Sequence, residues 1–335
     1  MKIVFKIIKA NSGSDIYFER LKQLLKTTNI EAEIIYYHWF FQFCPFLLKI
    51  FSKNSDGDII HSCAEYGWPF KEKNKPLVVS LLHSVFDESF KDYTSFGQKL
   101  FYLLIVRPNI KKTLKATDKI VAISYATKKS FIETYGYKNI QIIYPGINLN
   151  KYKSIKTKNV NKRFKLLFVG NLIKRKGSDL LPKIMKLLGN DYVLYYTSGL
   201  RTKPPSDFNL PNMVPLGKLS EKELIKKYNE CCTLLVPSRL EGFGYQIAEA
   251  MACGKPVITT NCSALPELII DKKGGFLCEI DNVNDFVEKI KTLFENKYLM
   301  KQMGQFNRRR ILDKFNLKKM GKKYKQLYDS SINNI

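Results

Sequence analysis

Residues 236–267 read VPSRLEGFGYQIAEAMACGKPVITTNCSALPE, and this stretch decides the fold. An apolar run ends at Val236, a Gly-Phe-Gly turn follows, and an Ala-rich segment of helical period opens near Tyr245. A second β-branched run comes at Pro256–Thr259. Strand, glycine turn, helix, strand is the repeating unit of a parallel sheet covered by helices. Glycines at 242 and 244 let a backbone approach a ligand, and the unpaired N–H groups of a helix start suit a phosphate. Glu241 precedes the helix and Glu249 falls on its second turn. If that turn faces a ligand, the two carboxylates can meet one extended molecule rich in hydroxyls. Taken alone, a Gly-x-Gly before a helix reads by default as a structural turn, and the full string is what makes it specific.

The same alternation extends outward in both directions. Upstream, Lys2–Ile8, Glu33–Tyr37, Asp58–His61, Leu77–Leu82, Lys119–Ile123 and Gln141–Tyr144 read as strands. Asp15–Thr27 reads as a helix with Ile16, Leu21, Leu24 and Leu25 inward, and Thr127–Tyr135 as another. Pro145-Gly146 and the polar, basic run Asn148–Arg163 read as a linker. Phe164–Val169, Tyr192–Tyr196, Met213–Pro215 and Thr233–Val236 then supply strands, with helices near Asp179–Leu188, Glu221–Asn229 and Tyr245–Ala252. At 335 residues the chain suits two domains, and two successive α/β halves predict two Rossmann-like domains.

Composition narrows the function. Apolar residues make up 45% and charged residues 26%, which is globular. The net charge is +26, of which residues 1–150 carry +8 (21 basic, 13 acidic) and 151–335 carry +18 (35 basic, 17 acidic). Ten basic side chains against Asp313 alone fall in 301–325, a field that favours phosphate-bearing ligands, anionic lipid or nucleic acid, or else a solvated helix face. Seven cysteines, an odd number with no C-x-x-C pair, predict reduced thiols in a cytoplasmic protein, without a zinc site or disulfide framework. The start lacks the apolar region of a signal peptide. The apolar stretch Ile34–Phe51 is interrupted by His38, Gln42, Pro45 and Lys49. It falls short of the ~20 residues a spanning helix needs, which leaves an interfacial segment or a helix packed on the sheet.

The 236–267 segment resembles the signature of glycosyltransferase family 4, E-G-F-G-x-x-x-x-E-A-M-A-x-G-x-P-V-I. Phe168–Leu181 (FVGNLIKRKGSDLL) is similar to that family's donor-diphosphate loop, Ala116–Tyr152 to the end of its first domain, and Gly274–Leu277 to its G-G-x-L loop. The resemblance implies the GT-B fold, with two Rossmann-like domains facing each other across a donor-binding cleft. Residues 1–150 would form an acceptor domain completed by 317–335, and 163–316 a donor domain. It implies a retaining, metal-independent transfer from a nucleotide-sugar, with no D-x-D in a donor loop.

By the same matching, Lys176 would stabilise the departing diphosphate, with Arg175 either assisting or a solvated neighbour. Asn171 stands where members usually have arginine, so it can donate a hydrogen bond but brings no charge. Glu249 would accept from the ribose hydroxyls and Glu241 would orient the donor sugar. Gly242, Phe243 and Gly244 would present backbone amides, and the loop containing Leu216 would hold the base. Gly13 matches a glycine-rich loop near the diphosphate, and His83 either contacts the sugar or is structural. The stretches Tyr36–Phe51 and Glu65–Phe70 line the acceptor side or simply pack. The expected partners are a nucleotide-sugar, a glycan or lipid-linked acceptor and an anionic membrane surface, on the inner face of a membrane and with no nucleic acid. Rival readings are a GT-B sugar-nucleotide epimerase, a basic nucleic-acid-binding protein and an inactive partner subunit.

Overall fold

The computed structural model describes residues 1–10, 13–87, 92–155, 163–198 and 204–332. In chain order these form β1 (Lys2–Ile8), α1 (Gly13–Lys26), β2 (Glu31–Tyr37), α2 (Leu48–Phe51), β3 (Ile59–Cys63), β4 (Leu77–Leu81), α3 (Phe96–Phe101), α4 (Arg107–Ala116), β5 (Lys119–Ala122), α5 (Tyr125–Tyr135) and β6 (Ile140–Ile142). Then follow β7 (Phe164–Phe168), α6 (Leu181–Leu188), β8 (Tyr192–Tyr196), β9 (Met213–Pro215), α7 (Glu221–Glu230), β10 (Thr233–Val236), α8 (Tyr245–Ala252), β11 (Val257–Thr260), α9 (Leu265–Leu268), β12 (Gly275–Cys278), α10 (Val283–Glu295), α11 (Lys297–Lys314) and α12 (Leu317–Ile332). The chain divides into two compact units. One holds Met1–Asp87, Thr94–Pro145 and Leu317–Ile335, the other Glu88–Tyr93 and Gly146–Asn316.

Each unit is built on a six-stranded parallel sheet, in the order β2-β1-β3-β4-β5-β6 in the first and β12-β11-β10-β7-β8-β9 in the second. The central strands β3, β4 and β10 are buried on both faces, and such strands read as largely apolar runs, whereas the edge strands β2, β6 and β9 are only partly buried. Chain direction across the sheet reverses between β1 and β3, and between β7 and β10. In open α/β sheets the loops leaving such a switch point are where ligands bind. In the second unit, α6 buries Leu181, Ile184, Met185 and Leu188, and α10 buries Phe286, Val287, Ile290 and Leu293, in one cluster. Each of these side chains contributes about 1.5–3 kcal/mol on leaving water.

The structure departs from the sequence expectations in four places. Helix α1 turns Tyr17, Phe18, Leu21, Leu24 and Leu25 inward and leaves Ile16 exposed, because the aromatic pair sets the buried stripe one position later. The linker residues 156–162 lie outside the described residues, but the part before them is tied down at points, although Lys151 and residues 153–155 stay exposed. Tyr152 is buried, and Asn229 bonds Ile155 N and Lys153 O. The basic run 301–325 is only partly a solvated face: Arg308 donates to Tyr152 O and Ala252 O, and Arg310 to Leu268 O and Glu267 O. Ala252 and Leu268 end α8 and α9, so these guanidinium groups satisfy orphan helix carbonyls. Finally, no helix packs on the sheet over Ile34–Phe51. Beyond β2 the chain forms short 3-10 turns and the one-turn α2, and most of their large apolar side chains are exposed. All seven cysteines are free thiols, and among the described residues no helix is long and apolar enough to cross a membrane.

Helix α12 joins the first unit through a buried polar network. His61 Nδ1 lies 2.7 Å from Tyr328 Oη and its Nε2 2.8 Å from Ser80 Oγ. Tyr17 Oη bonds both Ser80 Oγ and Tyr324 Oη. Burial pushes the His61 imidazole down to about 3, against an ordinary 6.5. Between those values the unfolded chain takes up a proton that the folded state refuses, so stability falls as pH drops through that window. The slope approaches about 1.4 kcal/mol per pH unit. Urea unfolding of the wild type and His61→Gln at pH 6.5 and pH 4.5 should show a steeper loss for the wild type. Parallel losses would mean that the histidine does not carry the effect.

Candidate functional site

The loops that leave β7 and β10 flank the switch point of the second unit, and they carry most of the expected site residues. After β7, Lys174–Lys176 form a 3-10 turn that ends at Gly177, whose φ is +65°. A Cβ at Gly177 would lie 1.8 Å from Pro237 O in the loop beyond β10, so the two loops touch where only glycine fits. Arg239 N donates to Arg175 O at 2.9 Å, and Arg175 Nη1 to Leu240 O at 3.0 Å.

This contact brings Lys176 to Glu241. Lys176 Nζ lies 2.5 Å from Glu241 Oε1, and both side chains are largely buried. Ser238 Oγ (3.0 Å) and Gln246 Nε2 (2.9 Å) donate to the same oxygen. Among the described residues, Glu241 Oε2 accepts no hydrogen bond. Burial alone would raise the Glu241 carboxyl, but Lys176 and Arg175 outweigh it and hold its pKa below the ordinary value. Burial lowers the Lys176 ammonium, with Glu241 opposing and Arg175 reinforcing that shift. The result is an ionised carboxylate with one oxygen saturated, beside a cation stripped of much of its water. The backbone is fixed as well: Glu241 N donates to Ser263 Oγ at 2.9 Å, and Ser263 itself sits at φ +45°.

Glu249 is buried on α8 and accepts a 2.8 Å hydrogen bond from Tyr228 Oη through Oε2. Gly244 opens α8 with φ +92° and no side-chain cap. Phe243 is buried, its ring 5.5 Å from Tyr245 and 5.8 Å from Phe315, so its side chain belongs to the core. Gly242 lies between it and Glu241. Leu216 N already donates to Tyr196 O at 2.8 Å, so any base contact through that residue falls to its carbonyl. Asn171 is half-buried in the loop after β7.

In the first unit, Gly13 opens α1 at an exposed position, and a Cβ there would meet nothing within 4 Å. His83 is half-buried two residues beyond β4. In Glu65–Phe70, Tyr66, Pro69 and Phe70 are buried and pack, whereas Glu65 follows β3 with its carboxyl pushed up to about 7 by burial. The D-x-D string Asp56-Gly57-Asp58 lies ahead of β3, at the opposite end of the strand from the switch-point loops, where both carboxylates bond Lys2. Among the described residues no three His, Cys, Asp or Glu side chains group as metal ligands.

Residues 150–310 match the family described as "Glycosyl transferases group 1", and residues 19–151 match "Glycosyltransferase Family 4". The chain belongs to glycosyltransferase family 4. An uncharacterized glycosyltransferase of Methanocaldococcus jannaschii is 36% identical over 220 residues, 64% of this chain and 61% of that relative. A capsular polysaccharide biosynthesis glycosyltransferase of Staphylococcus aureus is 27% identical over 259 residues, 70% of this chain and 67% of that one. The match spans about three fifths of the length of the first three curated relatives. Sucrose-phosphate synthase from Thermosynechococcus elongatus superimposes with a TM-score of 0.83 at 17% identity, over 99% of this chain and 100% of that one, a likeness of fold. The two parallel six-stranded sheets are those of a GT-B glycosyltransferase.

The residues of this family 4 chain that sequence reasoning passed over are those that serve loops. Arg239 is buried: Nη1 and Nη2 bond Asp179 at 2.7 and 2.9 Å, and Nε bonds Asp281 at 2.8 Å. It also donates to Lys174 O, and its guanidinium stacks 4.4 Å from the Tyr93 ring centroid. Ser238, Gln246 and Tyr228 hold the two glutamates. An unexplained serine three residues before Glu241 and a glutamine five after it were the available signal. Gly177→Ala should cost about 2–4 kcal/mol through its left-handed backbone and the clash with Pro237. Gly170→Ala in the same loop meets only ordinary contacts near 3.5 Å and should cost less than about 1 kcal/mol. Denaturant melts of the two variants check this, and equal losses would contradict the close approach of the loops.

Proposed function

We propose that this chain transfers a hexose from a nucleotide-sugar to a glycan or lipid-linked acceptor of the cell envelope, with retention and without a divalent metal. The observation that carries the reading is the buried Lys176–Glu241 pair at the switch point of the second unit, its carboxylate held by three donors on one oxygen. As the bond from the anomeric carbon to phosphate breaks, negative charge grows on the nucleoside diphosphate. A partly dehydrated ammonium next to that charge stabilises it more than a hydrated one would. Lys176 supplies this cation in our reading, and the positive end of the α8 dipole adds to it.

Glu241 then has a positioning role. Its saturated Oε1 anchors Lys176, and Oε2 accepts from a hydroxyl of the donor sugar. Glu249, held by Tyr228, accepts from the ribose through its other oxygen. The acceptor hydroxyl attacks the anomeric carbon on the face from which the diphosphate leaves, and its proton passes to the departing phosphate oxygen. The atoms balance, and no carboxylate is needed as a nucleophile. The capsular polysaccharide relative supports a cell-envelope acceptor. The Tyr-Pro-Gly-Ile-Asn string at Tyr144–Asn148 resembles one shared by many mannose- and glucose-type members, and that resemblance supports such a donor in our reading.

A panel of nucleotide-sugars, read by donor hydrolysis and by thermal stabilisation, identifies the donor. With that donor, Lys176→Ala should lower kcat by ~100-fold or more. Glu249→Gln, which keeps an acceptor for Tyr228, should raise the donor KM by ~10-fold with a smaller effect on kcat. Parental kinetics in both variants would refute the assignment. Transfer should also persist in excess EDTA, and a complete loss that magnesium or manganese restores would refute the metal-free reading.

A further inference from the structure

The first unit carries an apolar surface that the transfer reading does not use. Helix α3 runs through a π-helical stretch, Tyr102–Val106, into α4, and Phe96, Leu100, Leu103 and Leu104 fall at i, i+4, i+7 and i+8 along it. That spacing is the core-facing stripe of an ordinary amphipathic helix. Here it faces outward, with Phe96 82% and Leu104 60% exposed. The segment of 3-10 turns and α2 does the same, with Ile50 77% and Phe51 62% exposed and Trp39 and Phe46 exposed beside them.

The two segments form one face. The Phe43 ring lies 5.4 Å from that of Phe101. Trp68 bonds Asn109 of α4 at 2.8 Å through its indole N–H, and its ring lies beneath Lys49 Nζ of α2 at 5.5 Å and Lys112 Nζ of α4 at 5.1 Å. Residues 38–55 and 94–117 together carry seven lysines and arginines and no aspartate or glutamate. Monomeric proteins rarely expose large contiguous apolar patches without a partner for them.

We propose that this face docks on an anionic phospholipid bilayer. Its exposed tryptophan and phenylalanines would enter the interfacial zone and its cations the headgroup layer. The charge argues against a second copy of this chain, because an isologous contact would bring together segments that each carry seven cations and no acid. An apolar protein partner would leave those cations uncompensated. The proposal goes beyond the transfer reading and stands or falls without it.

The test uses the full chain with vesicles of equal parts phosphatidylglycerol and phosphatidylcholine, against phosphatidylcholine alone, read by co-sedimentation. The wild type should bind the anionic vesicles at low salt and more weakly at about 0.5 M salt, where the Debye length is only a few ångströms. Phe96→Ser with Leu104→Ser should lower binding by ~10-fold or more at both salts, with an unchanged melting temperature because both side chains are exposed. Lys111→Gln with Lys112→Gln should weaken binding chiefly at low salt. A wild type that stays in the supernatant at low salt overturns the proposal. So does a serine variant that binds like the wild type, which would leave only the general charge of a basic chain. A wild-type dimer in solution that the serine variant dissociates would assign the face to a second copy instead.

Discussion

Arg239 ties three stretches of chain to one guanidinium. Its fork meets both oxygens of Asp179, reaches Asp281 and a carbonyl of the Lys174–Lys176 turn, and presents its flat face to Tyr93. A lysine could fill one of these roles but not all, because an ammonium has neither the planar fork nor the stacking face. The Lys176–Glu241 pair depends on this clamp. Lys176 leaves one sheet loop and Glu241 the next, and Arg239 acts together with Gly177 packed on Pro237, the bonds between Arg175 and residues 239–240, and Ser263 to hold the two loops. Buried ion pairs recover their dehydration cost only with good geometry and satisfied lone pairs. Here Ser238 and Gln246 supply that satisfaction on one oxygen, and the other accepts no hydrogen bond among the described residues.

The large positive charge divides into parts with different physical meanings. Lys6 is buried against Glu72, Ser52 and a carbonyl. Lys255 donates to Asn229 O and Cys231 O at the end of α7, as Arg308 and Arg310 do at the ends of α8 and α9. Three consecutive helices of the second unit therefore end on a basic side chain brought from elsewhere in the sequence, where the helix dipole favours it. These cations are structural. The exposed lysines of α11 and α12, and those beside the apolar face, are the ones that set the field outside the molecule.

The strands were the most legible part of the sequence, because a parallel sheet buried on both faces demands continuous β-branched runs and nothing else in the chain imitates them. The strand Gly275–Cys278 escaped because two glycines precede its two large apolar residues, and the run read as a loop. The helix from Phe96 to Ala116 escaped for a different reason: it runs through the π-helical stretch Tyr102–Val106, which interrupts the 3.6-residue period between α3 and α4. In the site, Lys176, Glu241 and Glu249 were legible because each falls at a fixed place in a long string. Arg239 stands inside the same string and was passed over, since a residue that clamps loops follows no period and shows its purpose only when Asp179 and Asp281 arrive in space.

The return of α12 to the first unit bears on how the chain is made. The first unit places Tyr324 and Tyr328 over His61, Ser80 and Tyr17, yet the 171 residues Gly146–Asn316 are synthesised between its two parts. At the usual pace of ribosomes that interval lasts roughly 10–35 s. Throughout it the nascent first sheet has all six of its strands but holds an imidazole and two hydroxyls with no aromatic cover. The first unit is thus the first to be begun and the last to be completed, since its core waits for α12.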